Sequence, residues 1–77
     1  MEIQSFLTNF TNQFDDTDVS VITPETKFRD IEEWDSLTSL SIIAMVDEEY
    51  NVKISGEDFR NSQTIKDLFE IVKAKKN

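Results

Sequence analysis

The residues best suited to chemistry are a carboxylate and a hydroxyl, Asp35 and Ser36, which directly precede an apolar run with helical periodicity. Both are good N-cap residues, because their side-chain oxygens can accept hydrogen bonds from the unpaired amides of a first helical turn. A helix N-terminus also presents N–H groups and partial positive charge, so a hydroxyl there is a reasonable place to carry a phosphodiester. By themselves the two residues fit a helix cap and a modification site alike.

The chain offers little else for catalysis of its own. It contains no His and no Cys, so it lacks the commonest general base and any thiol nucleophile. Because no strong base lies near Ser36, the hydroxyl cannot be activated from within the chain, and another enzyme has to modify it. The sequence shows no nucleophile–base pair, metal-ligand set or phosphate-binding loop, and we expect a protein that is not an enzyme.

Acidic residues outnumber basic ones by sixteen to eight, which gives a net charge of −8. Such a chain repels a phosphate backbone, so nucleic-acid binding is not expected. No apolar run approaches the ~20 residues of a membrane span, and no signal-peptide pattern is present. We therefore expect a cytoplasmic monomer. The 77 residues are enough for one domain, 1–77, with a modest core.

Many of the carboxylates fall into four clusters, none of which has the ligand spacing, central Gly and terminal Glu of an EF-hand. A solvated surface accounts for them, and an electrostatic docking surface for basic partners is the alternative. The cluster Asp47/Glu48/Glu49 adjoins the apolar edge of a predicted helix, which makes it the best docking candidate. The clusters are Asp15/Asp16/Asp18, Glu32/Glu33/Asp35, Asp47/Glu48/Glu49 and Glu57/Asp58.

Helices have to position this chemistry, because a single Gly and a single Pro argue against a turn-rich β fold. Apolar residues have helical spacing over about 2–14, over 36–50 and from 64 onward, and 57–61 can form one further helical turn. We predict an all-α fold, a small four-helix bundle with three longer helices, one short helix and a long loop between the first two main helices. The predicted buried stripes are Ile3, Phe6, Leu7, Phe10 and Phe14; Ile42, Ile43, Val46 and Tyr50; and Ile65, Leu68, Phe69 and Val72.

The connecting segments carry local signals of their own. Apolar residues in the long loop are expected to fasten it to the bundle, since a disordered linker would not need them. Residues 52–54 alternate like a strand but are too short for a sheet, and Gly56 allows a turn. Thr64 and Asp67 form a capping-box pattern at the start of the last helix. The apolar loop residues are Val19, Val21, Ile22, Phe28 and Ile31.

Residues 35–50 carry a resemblance to acyl carrier proteins. In that family an Asp-Ser-Leu motif opens the second of four helices and an acidic-aromatic run closes it. Here the matching residues are Asp35-Ser36-Leu37-Thr38-Ser39-Leu40, then Ile42, Ile43 and Val46, then Asp47-Glu48-Glu49-Tyr50. Segments 23–28, 52–54 and 64–68 resemble the family's loop before the motif, its extended segment after the second helix and the start of its last helix. The resemblance thus covers nearly the whole chain.

The resemblance implies that Ser36 receives 4′-phosphopantetheine from coenzyme A through a Mg²⁺-dependent phosphopantetheinyl transferase. The arm would supply the thiol that the chain lacks and hold an acyl group as a thioester. The implied partners are an acyl- or aminoacyl-loading ligase and downstream synthases or transferases, whose basic patches would dock on the second helix. The implied docking residues are Asp35, Leu37, Leu40, Asp47 and Glu48. The residues implied to line an acyl cavity, or to belong to the core, are Leu40, Ile43 and Val46.

Fatty-acid-synthesis carriers have acidic residues where this sequence has Thr38 and Ser41, and a Gly before the motif where it has Glu32-Glu33-Trp34. These differences favour a specialised carrier in lipid, polyketide or similar biosynthesis over the housekeeping fatty-acid role. Trp34 is expected either to pack on the bundle or to contact a partner. A discrete peptidyl or aminoacyl carrier shares the fold and the serine chemistry. The alternative without a prosthetic group is an acidic helical interaction module in which Ser36 is only a helix cap.

Overall fold

The computed structural model describes residues 2–76, which form four α-helices and, within that range, no strand. The helices are α1 (Ile3–Thr11), α2 (Ser36–Tyr50), α3 (Gly56–Arg60) and α4 (Ile65–Lys76). The predicted all-α bundle with one short helix is confirmed, and the predicted bounds of α2 are correct. The long connection between α1 and α2 contains two 3₁₀ turns, Val19–Val21 and Phe28–Asp30, which the sequence did not predict.

The core is built largely from aromatic rings, since all six phenylalanines of the chain are buried. Burial of one such side chain contributes about 1.5–3 kcal/mol, so these rings supply much of the stabilisation. The predicted stripes of α1 and α4 both face this core, although Ile3 and Leu7 are only partly buried. The fully buried members of the two stripes are Phe6, Phe10, Ile65, Leu68 and Val72.

The first helix ends at Thr11, three residues before the predicted end. Beyond it the amides of Gln13 and Phe14 donate to carbonyls three residues earlier, at 3.2 and 3.1 Å, so the chain tightens before it leaves the helix. Phe14 still turns its ring into the core. The apolar spacing therefore predicted the buried face correctly but overran the helix end.

The long connection is fastened to the bundle, as predicted. Three of its five apolar residues are buried, Ile22, Phe28 and Ile31, whereas Val19 and Val21 are exposed. Its backbone also meets the start of α4, where the amides of residues 65 and 66 donate to carbonyls of residues 26 and 24 at 3.1 and 2.8 Å. Because the loop is bonded along its length, it fixes the backbone that leads into α2.

The ends of α2, α3 and α4 each have a defined local structure. Asn51 ends α2 in the left-handed conformation, with φ 57°, and its amide donates to the carbonyl of Asp47. The prediction of a turn at Gly56 is wrong, because Gly56 is the first residue of α3 and its φ is not positive. The predicted capping box of α4 is confirmed, since the amide of Asp67 donates to Thr64 Oγ1 and the amide of Thr64 donates to Asp67 Oδ2, at 3.1 and 3.0 Å.

Candidate functional site

Asp35, not Ser36, is the N-cap of α2. Its carboxylate accepts a hydrogen bond from the amide of Thr38 at 2.8 Å and a second from the Thr38 hydroxyl at 3.0 Å. These bonds favour the charged carboxylate and lower the pKa of Asp35. The interpretation of Ser36 as only a helix cap is wrong, because Asp35 occupies the N-cap position and its carboxylate accepts the capping hydrogen bond.

Ser36 is the first residue of α2, and its side chain is exposed. The Ser36 carbonyl accepts a hydrogen bond from the Ser39 hydroxyl at 2.8 Å. The Ser36 hydroxyl has no hydrogen-bond partner within residues 2–76. The two serines therefore differ, since the Ser39 hydroxyl is engaged with the backbone and that of Ser36 is not. A hydroxyl in this situation can be modified without breaking any contact that holds the fold.

Thr38, which is buried, and Glu33, in the long connection, fix the backbone that leads to Ser36 through their hydrogen bonds. The Glu33 carboxylate accepts bonds from the amides of Asp15 and Asp16, at 2.8 and 3.0 Å, and from the Thr17 hydroxyl at 2.7 Å. The Asp15 amide, followed by the Thr17 hydroxyl, lowers the pKa of Glu33. The Glu33 carbonyl in turn accepts the Thr38 hydroxyl at 3.2 Å. Glu33 thereby joins the first part of the long connection to the start of α2.

Trp34 packs onto the aromatic core and remains half-buried. The centroid of its ring lies 4.9 Å from that of Phe28 and 5.6 Å from that of Phe59. It also stacks nearly parallel to Phe10, at 6.0 Å and 4°. Of the two roles expected for this residue, packing on the bundle is confirmed, and the part of the ring left exposed faces the neighbourhood of Ser36.

Ser36 opens onto a groove of about 400 Å³ between the start of α2 and the short helix α3. The aromatic floor is formed by Phe28, Trp34 and Phe59, and two arginines lie along its walls. The remaining lining residues are polar or small. The complete lining is Phe28, Arg29, Trp34, Asp35, Ser36, Ser39, Gly56, Phe59 and Arg60. The sequence did not predict this groove, because residues more than twenty positions apart form it and no local pattern joins them.

A larger depression, of about 960 Å³, lies along the long connection and excludes Ser36. Carboxylates make up half of its twelve lining residues, among them Asp16, Asp18 and Glu33. Glu33 is bonded within the fold, and Asp18 accepts hydrogen bonds from the amide and hydroxyl of Ser20 at 3.1 and 2.6 Å. Both carboxylates thus serve the loop's own structure, and the depression lies outside the candidate site.

The predicted docking residues of α2 lie on one exposed surface. Leu37 and Leu40 are 74% and 59% exposed, and because they lie three positions apart on the helix they present neighbouring apolar side chains to solvent. Glu48 is exposed, and Asp47 pairs with Lys53 at 3.3 Å. Asp35 lies at the head of the same helix. Exposed apolar side chains and carboxylates are therefore interspersed along α2.

The residues predicted to line an acyl cavity differ in burial. Val46 is fully buried and Ile43 partly buried, but the assignment of Leu40 to the core is wrong, since its side chain points into solvent. The buried stripe of α2 runs through Thr38, Ile42, Met45 and Val46. Of the predicted stripe, Ile42 and Val46 are confirmed as fully buried, and Ile43 and Tyr50 are partly buried, whereas the burial of Thr38 and Met45 was not predicted.

The site is compatible with a phosphate ester. Its serine is exposed and unbonded, opens a fifteen-residue helix, and lies in a groove with arginine on its wall. Partial positive charge at a long helix N-terminus and a guanidinium both favour an anion. Fold and site together define a class of protein, the small helical domain that presents one serine for modification by another enzyme.

Comparison with known proteins identifies the family. Residues 7–72 match the family model of the phosphopantetheine attachment site. Acyl carrier proteins of Myxococcus xanthus and Micrococcus luteus are each 27% identical over 71 residues, which is 92% of this chain and 90% and 88% of theirs. The solution structure of holo acyl carrier protein from Geobacter metallireducens superposes with a TM-score of 0.76 at 29% identity, covering 95% of this chain and 83% of that one.

The chain therefore belongs to the acyl carrier protein family, whose members are carriers and not enzymes and hold 4′-phosphopantetheine covalently. This confirms the resemblance carried by residues 35–50. Within residues 2–76, none of the helices is long and apolar enough to cross a membrane.

Proposed function

We propose that Ser36 carries the 4′-phosphopantetheine and that the chain, as one carrier domain over 1–77, presents an acyl thioester to partner enzymes. The observation that carries the proposal is the state of the Ser36 hydroxyl, which is exposed and unbonded within residues 2–76 at the head of α2. Ser39, the other serine of the groove, is bound to the backbone of Ser36. Attachment at Ser36 leaves the cap made by Asp35 intact.

Attachment requires a partner, because no base in the groove can deprotonate Ser36. The phosphopantetheinyl transferase removes the hydroxyl proton, and Mg²⁺ assists the reaction. Ser36 Oγ then forms a bond to the phosphorus of coenzyme A that bears the pantetheine. The phosphoanhydride bond of coenzyme A breaks, and adenosine 3′,5′-bisphosphate leaves. This need for coenzyme A also supports a cytoplasmic location for the protein.

The exposed surface of α2 supports docking of partner enzymes with basic patches. Leu37 and Leu40 supply an apolar centre. Glu48 supplies a negative charge that forms no salt bridge within residues 2–76. Asp35 and Asp47 extend the negative charge to both ends of the helix. Charge of this kind mainly raises the rate of encounter, whereas burial of apolar surface at the interface supplies affinity.

We further propose that the carrier acts in a specialised pathway of lipid, polyketide or similar biosynthesis. Where fatty-acid-synthesis carriers have an acidic residue, Thr38 turns inward, is 8% exposed and bonds Asp35 and Glu33, so this position contributes no docking charge. Ser41 is exposed but uncharged. Loading assays that compare fatty acyl ligases with amino-acid adenylating enzymes distinguish an acyl from an aminoacyl cargo. Efficient turnover by housekeeping fatty-acid synthases would contradict the specialised role.

The attachment is tested by incubating the apo protein with coenzyme A, Mg²⁺ and a broad-specificity phosphopantetheinyl transferase, and then measuring intact mass. The wild type and Ser39→Ala are expected to gain one phosphopantetheine, and Ser36→Ala is expected to gain none. Ser39→Ala is the matched control because it removes a hydroxyl from the same groove. Modification of Ser36→Ala, or failure of the wild type with several transferases, would overturn the assignment.

A further inference from the structure

The groove beside Ser36 contains two guanidinium groups, and only one of them is used by the fold. Arg29 donates to the carbonyl of Phe59 at 2.8 Å and to that of Ser62, and its guanidinium lies 5.0 Å from the centroid of the Phe28 ring. It therefore closes the C-terminal end of α3 and holds that helix to the long connection. Arg29 is a structural residue, and its hydrogen-bonding capacity is largely committed.

Arg60 has no such commitment. It is exposed at the end of α3, one helical turn after Gly56, and its Nη1 lies 3.7 Å from where a Cβ on Gly56 would be. The guanidinium is thus directed back along α3 into the groove, over a position that has no side chain. Within residues 2–76, no carboxylate lies within 4.0 Å of it, although the chain has sixteen acidic residues. Arg60 differs from Arg29, the other cation of the groove, because no hydrogen bond or salt bridge within residues 2–76 uses its guanidinium, which leaves it able to bind an anion there.

Building on Ser36 as the attachment residue, we propose that Arg60 binds the phosphodiester of the attached arm and orients the arm's base along the α2–α3 groove. The phosphorus is bonded directly to Ser36 Oγ, so the phosphate has to lie in or beside the groove that Arg60 lines. The cargo is at the far end of a long flexible arm, so it does not have to lie near the groove. A guanidinium can donate two parallel hydrogen bonds to two phosphate oxygens, which a single ammonium cannot match.

Charge balance supports the same role. Modification adds a negative charge to a chain that already carries −8, and most of its surface would repel the phosphate. Arg60 is the cation of the groove available to offset that charge. Because the pair would be exposed, its strength is modest and depends on salt. Arg60 is therefore a positioning residue, and its contact would direct the first part of the arm over the exposed part of Trp34.

The test uses the fully loaded holo protein and two NMR signals, the ³¹P resonance of the phosphodiester and the Nε–Hε resonance of Arg60. Arg60→Gln removes the positive charge, and Arg60→Lys keeps the charge but loses the guanidinium that can donate two parallel hydrogen bonds. Lys73→Gln is the control, because it removes the charge of an exposed α4 residue that does not line the groove. We expect the Arg60 Nε–Hε signal to move when apo protein becomes holo protein. We expect the ³¹P signal to shift in Arg60→Gln, to shift less in Arg60→Lys and to stay in place in Lys73→Gln.

High salt provides an independent readout, since it should move the ³¹P signal of the wild type toward that of Arg60→Gln and leave the variant unchanged. Gly56→Glu tests the same contact in another way. The new carboxylate, beside the Arg60 guanidinium, should compete with the phosphate and reproduce the ³¹P shift seen in Arg60→Gln. An unchanged Arg60 signal on loading, or equal ³¹P shifts in Arg60→Gln and Lys73→Gln, would overturn the proposal. If no holo protein forms at all, the assignment of Ser36 fails instead, and intact mass shows this before any spectrum is recorded.

Discussion

At the scale of single residues, the site depends on side chains that bond to nearby backbone and leave the Ser36 hydroxyl unbonded. The Asp35 carboxylate caps α2 through the Thr38 amide, and the Glu33 carboxylate bonds residues 15–17 of the long connection, so the Ser36 hydroxyl is left without a structural task. The sequence predicted the serine and its acidic neighbour. It did not predict which of the two caps the helix, because Asp and Ser have nearly equal N-cap preferences and only the geometry of the turn separates them.

Glu33 gives a prediction for pH dependence. Its folded pKa lies below its ordinary value of 4.5, so its contribution to stability is complete above that value and is lost as the pH falls through the folded pKa. Glu33→Gln removes the charge that three donors bind, and it should lower Tm at pH 7. As the pH falls through the folded pKa, the wild-type carboxyl becomes protonated, and the difference in Tm should shrink toward zero.

Glu32→Gln is the matched control for this experiment, because Glu32 is an exposed neighbour without a hydrogen bond to its carboxylate within residues 2–76. Its substitution should change Tm little at either pH. An equal loss in both variants, or a Glu33→Gln difference that persists in acid, would show that the Glu33 carboxylate does not hold residues 15–17 in place.

At the scale of elements, periodicity located the helices well and their ends less well. The apolar stripes of α1 and α4 were correct because they consist of large side chains at i, i+3 and i+4. The stripe of α2 begins with Thr38, a polar residue whose burial is balanced by hydrogen bonds, and so apolar spacing alone could not place it. The two 3₁₀ turns of the long connection are held by tertiary contacts that no local pattern encodes.

Asn51 gives a prediction at this scale. It ends α2 with φ 57°, a conformation that costs residues with a Cβ about 1 kcal/mol or more but that Asn tolerates and Gly adopts freely. Asn51→Ala should therefore lower the free energy of unfolding by about 1 kcal/mol, measured by urea denaturation. Asn51→Gly should match or exceed the wild type. If both variants lose the same stability, the Asn51 side chain and not the backbone conformation is what matters.

At the scale of the whole molecule, a small aromatic core supports a surface with twice as many acidic as basic residues. Composition and spacing were enough to predict the bundle and the exposed face of α2. They could not reveal the groove beside Ser36, because it exists only where α2, α3 and the long connection meet. Arg29, Phe59 and Arg60 acquire their relation to Ser36 through packing, and no spacing in the sequence marks it.

The charge of the molecule predicts how its stability responds to salt. With a net charge of −8, mutual repulsion destabilises the compact state, and salt screens that repulsion. Raising NaCl from about 0.02 M to about 0.5 M at pH 7 should raise the urea midpoint of unfolding. NaCl is used because sulfate would strengthen apolar burial as well. A midpoint that falls with NaCl would mean that attractive ion pairs, such as the one between Lys75 and Asp58, outweigh the repulsion.

The central claim is that one serine carries the arm, and the most direct measurement of it is to locate the added mass within the unaltered protein. The wild type is loaded with coenzyme A, Mg²⁺ and a phosphopantetheinyl transferase, then digested, and the modified peptide is sequenced by tandem mass spectrometry. We predict a single phosphopantetheine on Ser36. A modification found on Ser39 or on any other hydroxyl, or an unmodified peptide after complete reaction of a control carrier, would contradict the account.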